Sequence, residues 1–550
     1  MKFEKKEIAY IIFLFLSGII FCIPGFIADG IPYYGHDTIF HVSRLVGFSN
    51  VWKAPINYTL TETGTLVNIY YPWLTMYPMW LFYRLFQSYI TAYNAYILFL
   101  SLITLFISYF SMKDMTRSTD ASFCFALVYS FSSYRFMDIY LRTAMGEDIS
   151  IAFLPLVICG LWHILYANNK KWYVLSIGLS LISYSHLLSL YLTGIMILLI
   201  ILFSVYYISD KKERLFSFLK AVLLSLLLSI GALAPILKGF TDQKLYRPDG
   251  NTELFKNNMC DLIPYIRNSI CSYFTPYSIG ALVLIVLIIN VILIIKSKNN
   301  CVPFIYLLIL LSLILFIAVS SIIPWPSLAK VSFISLIQFP WRLLLYSTLY
   351  TSVAYGMLIS KLSKSRVTIV FSIGTALFSV IIFTLSVYNS GEVSPFYMIT
   401  DDLINSMKVD SKDYTPVELY DYREANDFDY LNLWHGEDPI TPYVADDGNA
   451  LYFHILNVKK GEEIEIPACY FKCIKVFLNG NTVEIRMSDR GTILLNADSD
   501  GDSDIIVTSE YGIFNYVSWI ISILTALGLV LYIQKQKKNE TMRNYSDRDR

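Results

Sequence analysis

The sequence predicts a polytopic, all-α membrane protein with a β-rich domain set before its last span, and three observations predict it. Of 550 residues, 55% are hydrophobic and only 16% charged, far more apolar than a soluble domain. The apolar residues fall in runs of about 20, the length that crosses a bilayer. Basic residues recur in tight clusters between those runs, and from about residue 400 the pattern changes to short alternating segments.

The formal net charge is zero, so nothing points to nucleic acid as a partner. Basic clusters stand at Lys2, Lys5 and Lys6, at Lys113 and Arg117, at Lys170 and Lys171, at Lys211, Lys212 and Arg214, at Lys296 and Lys298, at Lys361, Lys364 and Arg366, and at Lys535, Lys537 and Lys538. Placed on one side of the membrane, they imply roughly twelve spans with both termini cytoplasmic. The spans read as 8–25, 89–110, 119–136, 149–166, 172–185, 187–208, 217–238, 279–295, 303–323, 341–360, 367–388 and 514–533. The first is not read as a cleavable signal, because "CIPGFIADG" offers no convincing small-residue cleavage site. Residues 173–208 test the count. As one helix they would run roughly 54 Å against about 30 Å of hydrocarbon, so two spans with a tight outer turn near Ser185 and His186 are expected.

Three units follow: a membrane module over 1–388, an extracytoplasmic β-rich domain over 389–513, and a last span with its cytoplasmic tail over 514–550. Within the domain, "VFLNGNTVEI" places Asn479-Gly480 between alternating runs, the signature of a type I′ hairpin. A sandwich of about 110 residues is expected there, either binding sugar or purely structural. The eight cysteines form no framework: Cys469 and Cys473, placed in one strand, would lie about 13 Å apart, and Cys260 and Cys271 share a loop with or without pairing. No Cys-x-x-Cys or His/Cys pattern argues for zinc.

The polar residues that remain lie at span ends. In "YYGHDTIFHVSRL", a helix over 38–50 would align Asp37, His41 and Arg44 at i, i+4 and i+7, with Ile39, Val42 and Val46 toward lipid or other helices. Asp37 is also an ordinary N-cap in that position. "YLRTAMGEDIS" gathers Arg142, Glu147 and Asp148 where a span begins, which helix-dipole stabilisation alone would equally explain. The topology puts all of these, with His186, at one membrane surface. "YYPWLTMYPMWLFYRLF", 70–86, is too broken by proline for a span and reads as an interfacial or re-entrant segment.

These motifs, "GHDTIFHVSRL", "APINYTLTETGTLVNIYYPWLTMYP", "RTAMGEDISIAFLPL", "SYSHLLSL" and "QFPWRLLLYSTLY", together resemble the bacterial multi-span membrane proteins of the YfhO-like kind. Related sequences carry the label "6-pyruvoyl-tetrahydropterin synthase-related", for which no pterin chemistry is visible. The resemblance covers most of the chain and implies glycosyltransferases of GT-C architecture in the bacterial cytoplasmic membrane. It implies transfer of a sugar from a polyprenyl-phosphate-linked donor to an envelope glycopolymer, glycolipid or protein acceptor on the extracytoplasmic face. The acidic residue of the first outer loop, Asp37 here, would act near the acceptor hydroxyl. A base is needed there as the new bond forms.

Arg342 in "FPWRLL" suits the departing phosphate, since guanidinium grips phosphate through two donors and keeps its proton; snorkelling beside Trp341 is the alternative. Glu147 would be the second carboxylate, either binding sugar or acceptor, or holding a divalent cation such as Mg²⁺ or Mn²⁺ with Asp37. The metal-free version is preferred because no third oxygen ligand is evident. His41, Arg44, Arg142, Asp148 and His186 are the further substrate-binding candidates, and Lys244, Arg247 and Arg267 either steer phosphate or are simply solvated. Two other functions stay open: a transporter or flippase of lipid-linked saccharides, which calls for buried mid-span charges and broken helices, and a non-catalytic envelope-binding protein.

Overall fold

The computed structural model describes residues 4–27, 31–33, 37–59, 63–246, 251–271, 278–296, 301–362, 366–393, 397–406, 414–419, 421, 434–435, 438–439, 442–445 and 448–546. Its principal helices are α1 (Lys5–Phe21), α2 (Asp37–Ser43), α3 (Tyr77–Phe86), α4 (Tyr89–Thr116), α5 (Thr119–Ser130), α6 (Met145–Tyr166) and α7 (Tyr173–Ser183). They continue with α8 (Leu187–Ser204), α9 (Lys211–Asp242), α10 (Ala281–Lys296), α11 (Pro303–Ala318), α12 (Leu343–Ile359), α13 (Arg366–Val393) and α14 (Ile513–Ser546).

Each segment read as a span contains a helix. Six of these, α4, α6, α8, α9, α13 and α14, are long and apolar enough to cross a membrane, and α10 and α11 are shorter apolar helices. Of the roughly twelve spans expected, six are thus long and apolar enough to cross a membrane among the described residues. At 12 and 11 residues, α5 and α7 run only about 18 and 16 Å, short of a bilayer by themselves.

Local chemistry sets the boundaries. Ser88 and Ser118 cap α4 and α5 by accepting from the backbone N–H of Thr91 and Ala121. The chain breaks between α7 and α8 at 184–186, at the expected turn. Stretch 70–86 is indeed broken, into a 3₁₀ turn (Leu74–Met76) and α3. α12, buried along its whole length, and α6, buried along nearly all of it, form the centre of the bundle. Close approach of α6 to α7 depends on Gly160, where a Cβ would come within 2.3 Å of the Leu175 backbone nitrogen.

The basic clusters near the starts of α1, α7 and α9 and the end of α4 meet at one end of the bundle. Lys6 pairs with Asp120 at 2.6 Å, Lys113 with Glu7 at 3.5 Å and Lys171 with Asp114, while Arg214 donates to the Ile164 carbonyl at 2.7 Å. The opposite end carries the β-rich unit.

Strand β1 (Ile31–Tyr33) pairs with β2 (Tyr397–Ile399), tying the first loop to the chain after α13. β3 (Tyr443–Val444), β4 (Ala450–Val458), β5 (Glu463–Cys469), β6 (Ile474–Leu478), β7 (Asn481–Val483), β8 (Arg486–Met487), β9 (Thr492–Asn496) and β10 (Gly501–Ser509) follow. They form an antiparallel sheet in the order β3-β4-β10-β6-β7 and a second in the order β8-β9-β5. Inward-facing Phe453, Ile464, Ile466, Val476, Ile493, Ile505 and Val507 make their shared core. Asn479 and Gly480 both have positive φ, as a type I′ turn requires.

The unit seats on the first loop: the Cys469 N–H donates to the Thr63 carbonyl at 2.7 Å, and Tyr511 Oη donates to the Val51 carbonyl at 2.8 Å. Cys469 closes β5 while Cys473 precedes β6, so the two do not share the single strand expected of them. The Cys271 side chain and Arg247 lie outside the described residues, as do Gly35 and His36 and much of 389–442.

Candidate functional site

At the β-domain end of the bundle, the chain leaving α5 forms a short helix (Ser133–Met137) and then a π-helical turn (Asp138–Arg142), before α6 begins at Met145. The π turn, a local widening found often at functional sites, points Arg142 back across the start of α6. Arg142 Nη1 donates to Asp138 Oδ1 at 2.6 Å, and both Nη atoms lie 3.3 Å from Glu147 Oε2. Its guanidinium also sits 4.0 Å above the Trp341 ring.

Arg342, in the 3₁₀ turn that opens α12, reaches the same carboxylate from the other side, with Nε 3.7 Å from Glu147 Oε2. The second oxygen of Glu147 accepts from Tyr134 Oη. Two guanidiniums and a phenol thus converge on one buried carboxylate, as charge burial demands.

The electrostatics leave this group short of negative charge. Asp138 is fully buried, and burial together with the Glu147 charge pushes its carboxyl well above the usual carboxylate range, toward the neutral acid. Glu147 and Asp138 hold the Arg142 guanidinium above its ordinary value. Arg342 Nη1 donates to Gln338 Oε1 at 2.7 Å, but its buried Nε makes no hydrogen bond among the described residues.

Gln338, which accepts from Arg342, lines a cavity of about 270 Å³ together with Tyr70, Tyr71, His186, Tyr191, Phe240 and Tyr414. His186 is stacked on Tyr71 and bonded through Nδ1 to Ser189 Oγ at 2.9 Å. Burial and the Arg342 charge lower its ring to about 3, so it is neutral.

Asp37, His41 and Arg44 do not act as one polar face. Asp37 opens α2, is exposed, and lies in the field of Arg142, to whose raised value it contributes. Thr38 bonds Thr143, docking this end of α2 on the loop before α6. One turn on, the chain tightens into a 3₁₀ helix (Arg44–Ser49) and sinks inward, so Val42 is buried in the protein interior.

Arg44, 1% exposed, donates from Nε to Asn68 Oδ1 at 3.0 Å and from Nη2 to the Tyr71 carbonyl at 2.6 Å, with His41 Nδ1 at 3.4 Å. His41 and Arg44 thereby fix the strip that supplies Tyr71 to the cavity. Burial holds His41 well below its ordinary value. Asp148, one residue from Glu147, turns away from it to meet Arg135 Nε at 2.9 Å, a pair with both side chains 1% exposed. That pair is backed by the Phe21 ring 4.4 Å from the guanidinium.

Sequence reading missed Tyr134, Arg135 and Asp138. The spacing of Asp138 and Arg142 at i and i+4 was the available signal. As a divalent-metal site, the pair Asp37 and Glu147 fits poorly, because both Glu147 oxygens already face Tyr134 and Arg142 donors.

Fold and site define a polytopic helical membrane protein with a buried ionic constellation under an aromatic cavity. Neither a scan against protein-family models nor a search of curated proteins gives a match. Among solved structures, the chain is similar to the cryo-EM structure of the arabinofuranosyltransferase AftD from Mycobacteria, at 12% identity and a TM-score of 0.39. The match covers 76% of this chain and 29% of that one. A likeness of that score carries no inference about activity.

Proposed function

We propose that the protein is a membrane glycosyltransferase that moves a sugar from a polyprenyl-phosphate-linked donor to an envelope acceptor on the extracytoplasmic face. The observation that carries this reading is Arg342: a buried guanidinium that donates to Gln338 at the wall of an aromatic cavity, and whose Nε makes no hydrogen bond among the described residues and only the 3.7 Å ion contact with the Glu147 it shares with Arg142. An anionic phosphate entering the cavity completes the hydrogen bonding of Arg342, and the phenol and imidazole walls suit a sugar face and an isoprenoid stem.

In the reaction, the acceptor oxygen bonds to the anomeric carbon as the bond from that carbon to the phosphate oxygen breaks. Asp37 takes the hydroxyl proton, and Arg342, with Arg142 behind it, stabilises the charge developing on the departing lipid phosphate. Glu147 positions the two guanidiniums. His186, held neutral, offers a hydrogen bond to sugar or phosphate.

The sidedness belongs to the same proposal. The basic clusters gathered at the end opposite the β-domain support cytoplasmic termini and an extracytoplasmic β-domain.

A flippase for the same lipids would need ionisable groups buried mid-span, whereas the buried charges of α4 and α6 described above sit toward helix ends. Proteoliposomes loaded with a radiolabelled polyprenyl-phosphate sugar separate the two. Label passing into a new product supports transfer; label moving between leaflets with the donor intact refutes it.

A further inference from the structure

At the far end of the same central helix, three side chains of different chemistry share one point. Cys159 and His163 stand at i and i+4 on α6, and Asp114 faces them from the last turn of α4. His163 Nε2 is 2.7 Å from Asp114 Oδ2, and Cys159 Sγ is 3.9 Å from that oxygen. One ligating atom from each of the three lies within 4.8 Å of the others. No sequence motif signalled this, because the third member comes from another helix.

We infer that Asp114, Cys159 and His163 bind a transition-metal dication, with Zn²⁺ the best match to the donor set. Thiolate, imidazole and carboxylate are the ligand types zinc takes, and bonds of about 2.0 to 2.3 Å place tetrahedral ligand atoms about 3.3 to 3.6 Å apart. The 2.7 and 3.9 Å separations from Asp114 Oδ2 bracket that spacing, so the ion forms its site by opening the His163 contact and closing the Cys159 contact by about half an ångström each, with the Cys159–His163 separation, within 4.8 Å, drawing in as well.

The rest of the surroundings agree. Lys171 pairs with Asp114 through Oδ1 and leaves Oδ2 toward the metal position. A cavity of about 290 Å³ lined by Ser111, Asp114 and Cys159 admits the ion and a water as fourth ligand, and Ser111 Oγ, buried and without a hydrogen bond among the described residues, is a ready partner for that water. Binding requires loss of the Cys159 proton to solvent. The ion would pin α4 to α6, the helix whose other end carries Glu147 about 24 Å away.

The test uses the full-length protein purified in detergent without chelator, with metal counted by mass spectrometry and Co²⁺ exchanged in as a probe. Zinc at about one per chain, together with a thiolate-to-cobalt charge-transfer band, is expected. Cys159→Ser and His163→Gln should each lower bound metal at least about tenfold, while Lys171→Ala, which spares every ligand, should keep it. Wild-type protein that takes up no cobalt, or a band that survives Cys159→Ser, overturns the inference. Should a variant fail to fold, the wild-type cobalt spectrum decides alone.

Discussion

Arg142→Met removes the most connected charge of the site while keeping much of its apolar stem. Its two Nη atoms lie 3.3 Å from Glu147 Oε2, so at an effective dielectric of 20 the lost attraction is about 5 kcal/mol before desolvation is counted. Arg342 stays 3.7 Å from the same oxygen and retains about 4 kcal/mol on the same scale. Asp138, already pushed toward its neutral form, adds little ionic loss. The net cost should fall at the low end of the range for breaking a buried pair, about 3 kcal/mol. The double variant of Arg142→Met and Glu147→Gln should cost about 2 kcal/mol less than the sum of the two single variants, because the Arg142–Glu147 attraction is lost only once. Equilibrium unfolding in mixed micelles, read for the wild type, both single variants and the double variant, measures this coupling. A cost under about 1 kcal/mol, or strict additivity, would refute the ionic account of the site.

The remaining expectations are narrower. Arg44→Met should destabilise by about 3 kcal/mol in the same assay, since it orphans Asn68 and the Tyr71 carbonyl, and its activity should return in proportion to folded protein. Asp138→Asn should leave stability unchanged or raised at neutral pH, because the native state already favours the uncharged form. With the His186 ring lowered to about 3 against roughly 6.5 when unfolded, the unfolded chain binds the extra proton between those values. Stability should therefore fall on acidification through that window, by up to about 1.4 kcal/mol per pH unit, and His186→Gln should flatten the slope.

How much of this was legible in the sequence depends on range. Helix positions followed from apolar run length, and the break before His186 from the impossibility of one 36-residue span, because both are properties of contiguous chain. The Asn479-Gly480 hairpin was equally local. Helix lengths were less legible: α5 and α7 are shorter than their apolar runs because the chain bends into the site and the turn that follow.

Of the candidate residues, Glu147, Arg142 and Arg342 do meet, although Arg342 lies nearly 200 residues further along the chain. Arg44 and Asp148 were chosen for charge near a surface and instead proved to be paired in the interior. Charge alone in a sequence does not distinguish a residue that awaits a ligand from one whose partner comes from another helix. Asp148 is the clear case, since its partner Arg135 lies before the π turn that brings them together.

The central claim is that Asp37 accepts the acceptor proton. Because Asp37 is exposed, Asp37→Asn should change stability by less than about 0.5 kcal/mol. The most direct measurement is the rate at which membranes carrying wild type or Asp37→Asn transfer radiolabelled sugar from undecaprenyl-phosphate sugars, at matched levels of folded protein. A loss of about 100-fold or more is the result predicted for a missing base, and a variant that transfers sugar at the wild-type rate would contradict the account.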